Sequence, residues 1–77
     1  MNKQRRQKIA DAVELIEKAL EMLDDARHEE QEAFDSLPES FQYGERGEQM
    51  EEYIGILEEA YDTIEEYKEN LDEIVFS

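Results

Sequence analysis

Carboxylates are the commonest groups in this chain that could do chemistry. The run Glu58-Glu59-Ala60-Tyr61-Asp62 holds an E-x-x-D step, and Glu14 with Glu17 an E-x-x-E step. On helices such pairs can bind Mg2+, as in all-α nucleotide pyrophosphohydrolases, and Asp25 with His28 has the spacing of a di-iron bundle ligand pair. Two observations weigh against a metal. With 23 acids in 77 residues, several acidic pairs at spacing three arise by chance. The heptad register set out below also turns Glu58, Glu59, Asp62 and His28 away from the helix seam, whereas metal-binding bundles carry their ligands inside. The expectation is no metal and no cofactor, with His28 a solvent-facing side chain.

Covalent catalysis has even less to work with. There is no cysteine, and Ser36, Ser40 and Ser77 lie in the loop or at the terminus without a local histidine. Gly44-Glu45-Arg46-Gly47 opens a helix but sets Glu45 and Glu48 where a phosphate would sit. These residues do not point to an enzyme.

Length and charge narrow the remaining classes. Seventy-seven residues allow one small domain. Eight Lys and Arg against 23 acids give a net charge of −15. Phosphate repulsion then argues against direct nucleic-acid binding. No apolar run reaches the roughly 18–20 residues of a membrane span, and no signal-peptide core follows the basic start, so neither a membrane nor export is expected. Hydrophobic residues at 39% are too many for a disordered acidic tail and too few for a deep core. With no cysteine, the redox compartment stays open.

Glycine and proline mark the elements. Asn2 to Ser36 has neither, and beyond Gly47 only Gly55 interrupts. Both stretches are rich in strong helix formers. The pattern predicts an all-α, coiled-coil-like antiparallel hairpin: helix one over about 3–36, a loop over 37–45, and helix two over about 46–75. Pro38 stops the first helix and can open a single helical turn, and Gly44 can end that turn or cap the second helix. Each long helix would span roughly 45 Å at ~1.5 Å per residue.

Heptads predict the packing. In helix two, Met50, Leu57, Ile64 and Leu71 form an a series, and Tyr53, Ala60, Tyr67 and Ile74 a d series. In helix one, Ile9, Ile16 and Leu23 occupy a, and Ala12, Ala19, Ala26 and Ala33 occupy d. Val13, Leu20, Phe34, Ile54, Tyr61 and Val75 widen the stripe on one side; Leu15, Met22 and Ile56 widen it on the other. The a and d series are expected to form the seam, with alanines admitting a close neighbour and Tyr53 and Tyr67 supplying bulk opposite. Lys3, Arg5, Arg6 and Lys8 should meet Glu69, Asp72 and Glu73 at the open end, where both clusters oppose their helix dipoles. A lone hairpin leaves the flanks wet, so a second copy should complete a homodimeric four-helix bundle.

The outward acids of helix two, Glu51, Glu52, Glu58, Glu59, Asp62, Glu65, Glu66 and Glu69, form the candidate partner-binding surface. Spread over a ~45 Å rod, the chain's carboxylates would stand about 2 Å apart along the axis, near the ~1.7 Å per charge of duplex DNA. Such a rod can occupy a basic groove on a nucleic-acid-binding protein. A solubilising face is the plainer reading, yet the scarcity of lysine forgoes the i,i+4 pairs that would stabilise the helices. The loop end is a second candidate, for a partner or a small ligand. There Arg27 and Glu30 interrupt the stripe, antiparallel pairing places Glu30 near the Tyr53 hydroxyl, and Tyr43 and Arg46 crowd the same end. The plainer reading is a capped end, with Phe34, Leu37 and Phe41 as a plug and Arg46 paired to Glu30 or Asp35.

The run from Phe34 to Gln42 through Leu37-Pro38-Glu39-Ser40, then Glu45-Arg46-Gly47-Glu48 and Met50-Glu51-Glu52, resembles small acidic two-helix proteins of phages and prophages. The likeness covers nearly the whole chain, but its specific part is the loop. Gly44 departs from the pattern, where a serine cap would be expected. The resemblance implies a phage accessory protein in a bacterial cytoplasm, a setting in which compact inhibitors of host nucleic-acid enzymes or defence systems are frequent. The alternatives are an oligomeric nucleotide binder or sponge using the loop end, and a structural oligomerisation module.

Overall fold

A computed structural model describes residues 1–77. The chain is all-helical: α1 covers Lys3–Asp35, a single turn α2 covers Glu39–Gln42, and α3 covers Glu45–Val75. Asn2 caps α1, its side chain accepting the Arg5 N–H at 2.8 Å. The first turn of α1 holds no acid to complement the dipole, so this cap carries the start. Pro38 ends the run, and its carbonyl then accepts from Phe41 N at 2.8 Å and Gln42 N at 3.2 Å, which makes α2. Gly44 precedes α3 in an extended conformation and offers no side-chain cap. Glu45 and Glu48 in the first turn of α3 compensate through the dipole.

The turn is held by two residues. Gln42 Nε2 donates to the Phe34 carbonyl at 3.2 Å, which also accepts from Leu37 N at 3.1 Å, and to the Leu37 carbonyl at 3.1 Å, tying α2 back to the end of α1. Gly47, buried in the first turn of α3, lies against the same residue: a Cβ there would come 2.1 Å from the Gln42 carbonyl oxygen. Backbone meets backbone at this point, and only glycine fits. Phe34 and Leu37 are half-buried beneath the turn. Phe41 is 57% exposed and does not join them as the plug.

Antiparallel α1 and α3 make a hairpin of 58 × 15 × 13 Å. The seam differs from the one the heptads suggested. Its buried apolar residues are Val13 and Leu20 of α1 with Met50 and Ile54 of α3, and Ile9, Ile16, Leu23, Leu57, Ile64 and Leu71 are half-buried along the same line. The seam therefore runs through a and e. The d-series Ala12, Ala19, Ala26 and Ala33 are exposed, as are Tyr53 and Tyr67; Ala60 and Ile74 are half-buried. The cause is area. Each helix has one neighbour, and turning Val, Leu and Ile toward it removes more apolar surface from water than turning alanines would.

Three e positions, Arg6, Arg27 and Lys68, carry cations, and two of them cross the seam. Arg27 and Lys68 lay their stems along the seam edge and reach across it, Arg27 Nη1 to Glu58 Oε1 at 3.9 Å and Lys68 Nζ to Glu17 Oε1 at 3.5 Å. The basic cluster at the open end behaves otherwise. Lys3, Arg5, Arg6 and Lys8 share that end with Glu69, Asp72 and Glu73, but none comes within 4.0 Å of a carboxylate. Arg6 reaches only the Met1 carbonyl, at 3.4 Å, and its Nε is buried without a partner.

The glycines give a paired test. Gly47→Ala forces backbone apart at the turn and should cost on the order of 2–4 kcal/mol. Gly55→Ala meets nothing within 4 Å and should stabilise α3 by up to about 1 kcal/mol. Thermal melts followed by circular dichroism check both; equal melting temperatures for the two variants would show that the turn is not clamped as described.

Candidate functional site

The a/e seam divides the hairpin into two unlike flanks. On each helix the b, c and f positions lie to one side of the seam and g and d to the other. Antiparallel pairing brings like flanks together. The b/c/f flank is acidic, and all eight candidate acids of α3 lie on it. Glu51, Glu52, Glu59, Asp62, Glu66 and Glu69 are exposed and have no ion pair. Glu58 faces Arg27, and Glu65 is half-buried beside the Tyr61 hydroxyl. The structure thus sets six of the eight free in solvent, draws Glu58 across the seam and ties Glu65 to a neighbour on its own helix.

A hollow of about 320 Å3 opens on this flank, lined by Asp24, Arg27, Glu58, Tyr61 and Asp62. Arg27 Nη2 donates to Asp24 Oδ1 at 3.2 Å. His28 Nδ1 stands 3.0 Å from the Asp24 carbonyl oxygen and 3.6 Å from Asp24 Oδ2. Arginine at the centre gives the surrounding carboxylates a cation already. No group of three or more His, Asp or Glu side chains converges in a way that could hold a metal ion.

The loop-end residues are not brought together. Arg27 is engaged on the acidic flank, Tyr53 stands on the opposite flank, and Tyr43 is 77% exposed. Glu30 makes no hydrogen bond to Tyr53, and Arg46 is exposed with no carboxylate partner. No hollow is lined by more than one of these five residues.

The second flank is apolar: Leu15 is 67% exposed, Met22 71%, Ile56 54% and Tyr67 65%. The heptads already set Leu15, Met22 and Ile56 on one side of the stripe, but Tyr67, assigned to the seam at d, joins them. The usable signal was the polar pair Arg27 and Lys68 at e, which marks an edge of the seam and so leaves d and g on the far side. No helix is long and apolar enough to cross a membrane. The net charge of −15 along 58 Å is one net charge per about 3.9 Å, sparser than a count of all carboxylates on a shorter rod suggests.

No family model, curated protein or solved structure matches the chain.

Two groups on the acidic flank titrate away from their ordinary values. Glu65, then partial burial, then Asp24 and Asp62 hold the Tyr61 hydroxyl above 10.0. For Lys68, partial burial lowers the value, but the carboxylates of Asp72 and Glu17 outweigh it and the net is above 10.5. Both shifts act in one direction. The folded chain holds these protons more tightly than the unfolded chain, so the stability they contribute is complete below pH 10.0 and is lost as pH rises through the folded values. Urea midpoints measured from pH 8 to pH 12 should fall only above about pH 10, and Tyr61→Phe should reduce that fall.

Proposed function

We propose that this chain is a non-enzymatic acidic binding module, a phage-encoded inhibitor that acts in the bacterial cytoplasm as a homodimeric four-helix bundle. Its acidic flank occupies a basic, nucleic-acid-binding surface of a host or defence protein, in the manner of a DNA mimic. The observation that carries the reading is the exposed, unpaired set Glu51, Glu52, Glu59, Asp62, Glu66 and Glu69 on one face of α3. Helical neighbours at i+3 and i+4 stand about 5–6 Å apart, a spacing comparable with successive phosphates. Uncompensated like charge weakens a helix, and a row kept free of lysine is one whose benefit lies in an encounter with positive charge. The same charge repels nucleic acid itself, so the partner is protein.

The two other readings have less support. A nucleotide binder at the loop end needs Arg27, Tyr43 and Arg46 to converge, and they stand apart. A purely structural module leaves the row of free acids without a role.

The test uses the tagged full chain as bait in bacterial lysate, beside a variant with Glu51, Glu52, Glu59, Glu66 and Glu69 changed to Gln and Asp62 to Asn. Wild type should retain basic nucleic-acid-binding proteins that added duplex DNA displaces, with retention falling steeply as salt rises. The variant should lose them. Retention that survives both the substitutions and high salt would falsify the charge-based reading.

A further inference from the structure

We infer that the apolar flank formed by Leu15, Ala19 and Met22 of α1 with Tyr53, Ile56 and Tyr67 of α3 takes a second copy of this chain laid head to tail, the loop end of each hairpin beside the open end of the other. The inference rests on the homodimer proposed above and specifies its surface and direction.

Area is the first argument. A compact chain of 9.1 kDa exposes about 4,900 Å2. This one exposes 6080 Å2, an excess of about 1,200 Å2. Each side of an ordinary stable interface buries about 800 Å2, and obligate dimers bury more. No side chain in the hairpin is fully buried, and only four apolar residues count as core. A second copy on this flank supplies the burial that the hairpin lacks, and it leaves the acidic flank in water.

Charge fixes the direction. The ion pairs Glu17–Lys68 and Arg27–Glu58 show which residues of α1 and α3 lie level, and place the hairpin's midpoint near Met22 and Thr63. The loop half, residues 22–63, holds 14 acids and 2 cations, a net −12; the open half holds 9 acids and 6 cations, a net −3. Loop beside loop would place −12 against −12. Head to tail places each −12 against −3, and carries Arg5 and Lys8, on the d/g flank and exposed and unpaired within their own chain, to the other copy's more acidic half.

Side-chain size permits this direction without selecting it. A two-fold axis across the midpoint sets Ala19 level with the second copy's Ala26, Ala12 with its Ala33, and Tyr67 with its Ala60. A loop-to-loop pair would set Tyr67 level with Ala19 equally well. Repeats of seven residues make both fits good, and the charge asymmetry decides.

Because the chain has no cysteine, Ser40→Cys places one spin label at the loop tip of the full-length protein. Light scattering should give the mass of a dimer, and dipolar spectroscopy a label separation close to the 58 Å long axis. Loop-to-loop packing would bring the labels within about 20–30 Å, the width of a bundle whose helices are 8–10 Å apart. A dimer with that short separation overturns the head-to-tail arrangement and leaves the homodimer standing; a monomeric mass overturns the homodimer itself. Met22→Lys with Ile56→Lys, both exposed in the single hairpin, should raise the dimer dissociation constant at least about 100-fold, since each buries an unpaired charge. A dimer that forms as readily in this variant shows that another surface is used.

Discussion

A helix with a single neighbour can shield only part of its circumference, and the apolar positions g, d, a and e of α1 and α3 together cover more than one neighbour reaches. Everything else in the molecule follows from how that shortfall is shared. The large branched side chains at a and e go inward because they gain most from leaving water. The d-position alanines of α1, with least to gain, stay outside with Leu15, Met22, Tyr53 and Tyr67. The hairpin is thus narrow, long and lightly cored, with one greasy flank and one acidic flank that cannot be interchanged.

Charge works within this frame. Carboxylates crowd the flank farthest from the apolar one, where repulsion can relax into solvent. The two cations that enter the seam do so at e, one on each helix, and both reach to acids on the same side. Arg27 and Lys68 therefore do two things: their stems cover seam edges that would otherwise be wet, and their ion pairs mark which residues of α1 lie level with which of α3. A slip of one heptad would still set Arg27 level with a glutamate, Glu51 or Glu65, and Lys68 level with Ala10 or Asp24, so the turn and the apolar layers hold the register.

Much of the architecture was readable before any coordinates. The absence of Gly and Pro from Asn2 to Ser36, the stop at Pro38 and the acids after Gly44 point to two long helices and a short turn, and these are present. The assignment of the seam to a and d was not correct. Heptad counting treats every apolar residue alike and cannot say which half of a broad stripe one neighbour will cover; comparing buried area at d and e, alanine against valine and leucine, would have pointed to e. The clamp inside the turn was missed for another reason. Gln42 and Gly47 act through backbone proximity, a relation between residues that only folded geometry supplies. The loop-end cluster failed similarly: Arg27, Glu30 and Tyr53 are near in level but point to different flanks.

The clamp at the turn bears on how such a chain acquires its shape. Gln42 binds carbonyls five and eight residues before it, so closing this corner confines a very short loop and costs little chain entropy. Once it is shut, the next seam layer, and each layer after it, joins residues that the previous one has already brought near. Assembly by successive short closures favours rapid folding even for a hairpin whose termini lie some 75 residues from each other in sequence. Speed of that kind shortens the time for which the seam's branched side chains stand in water.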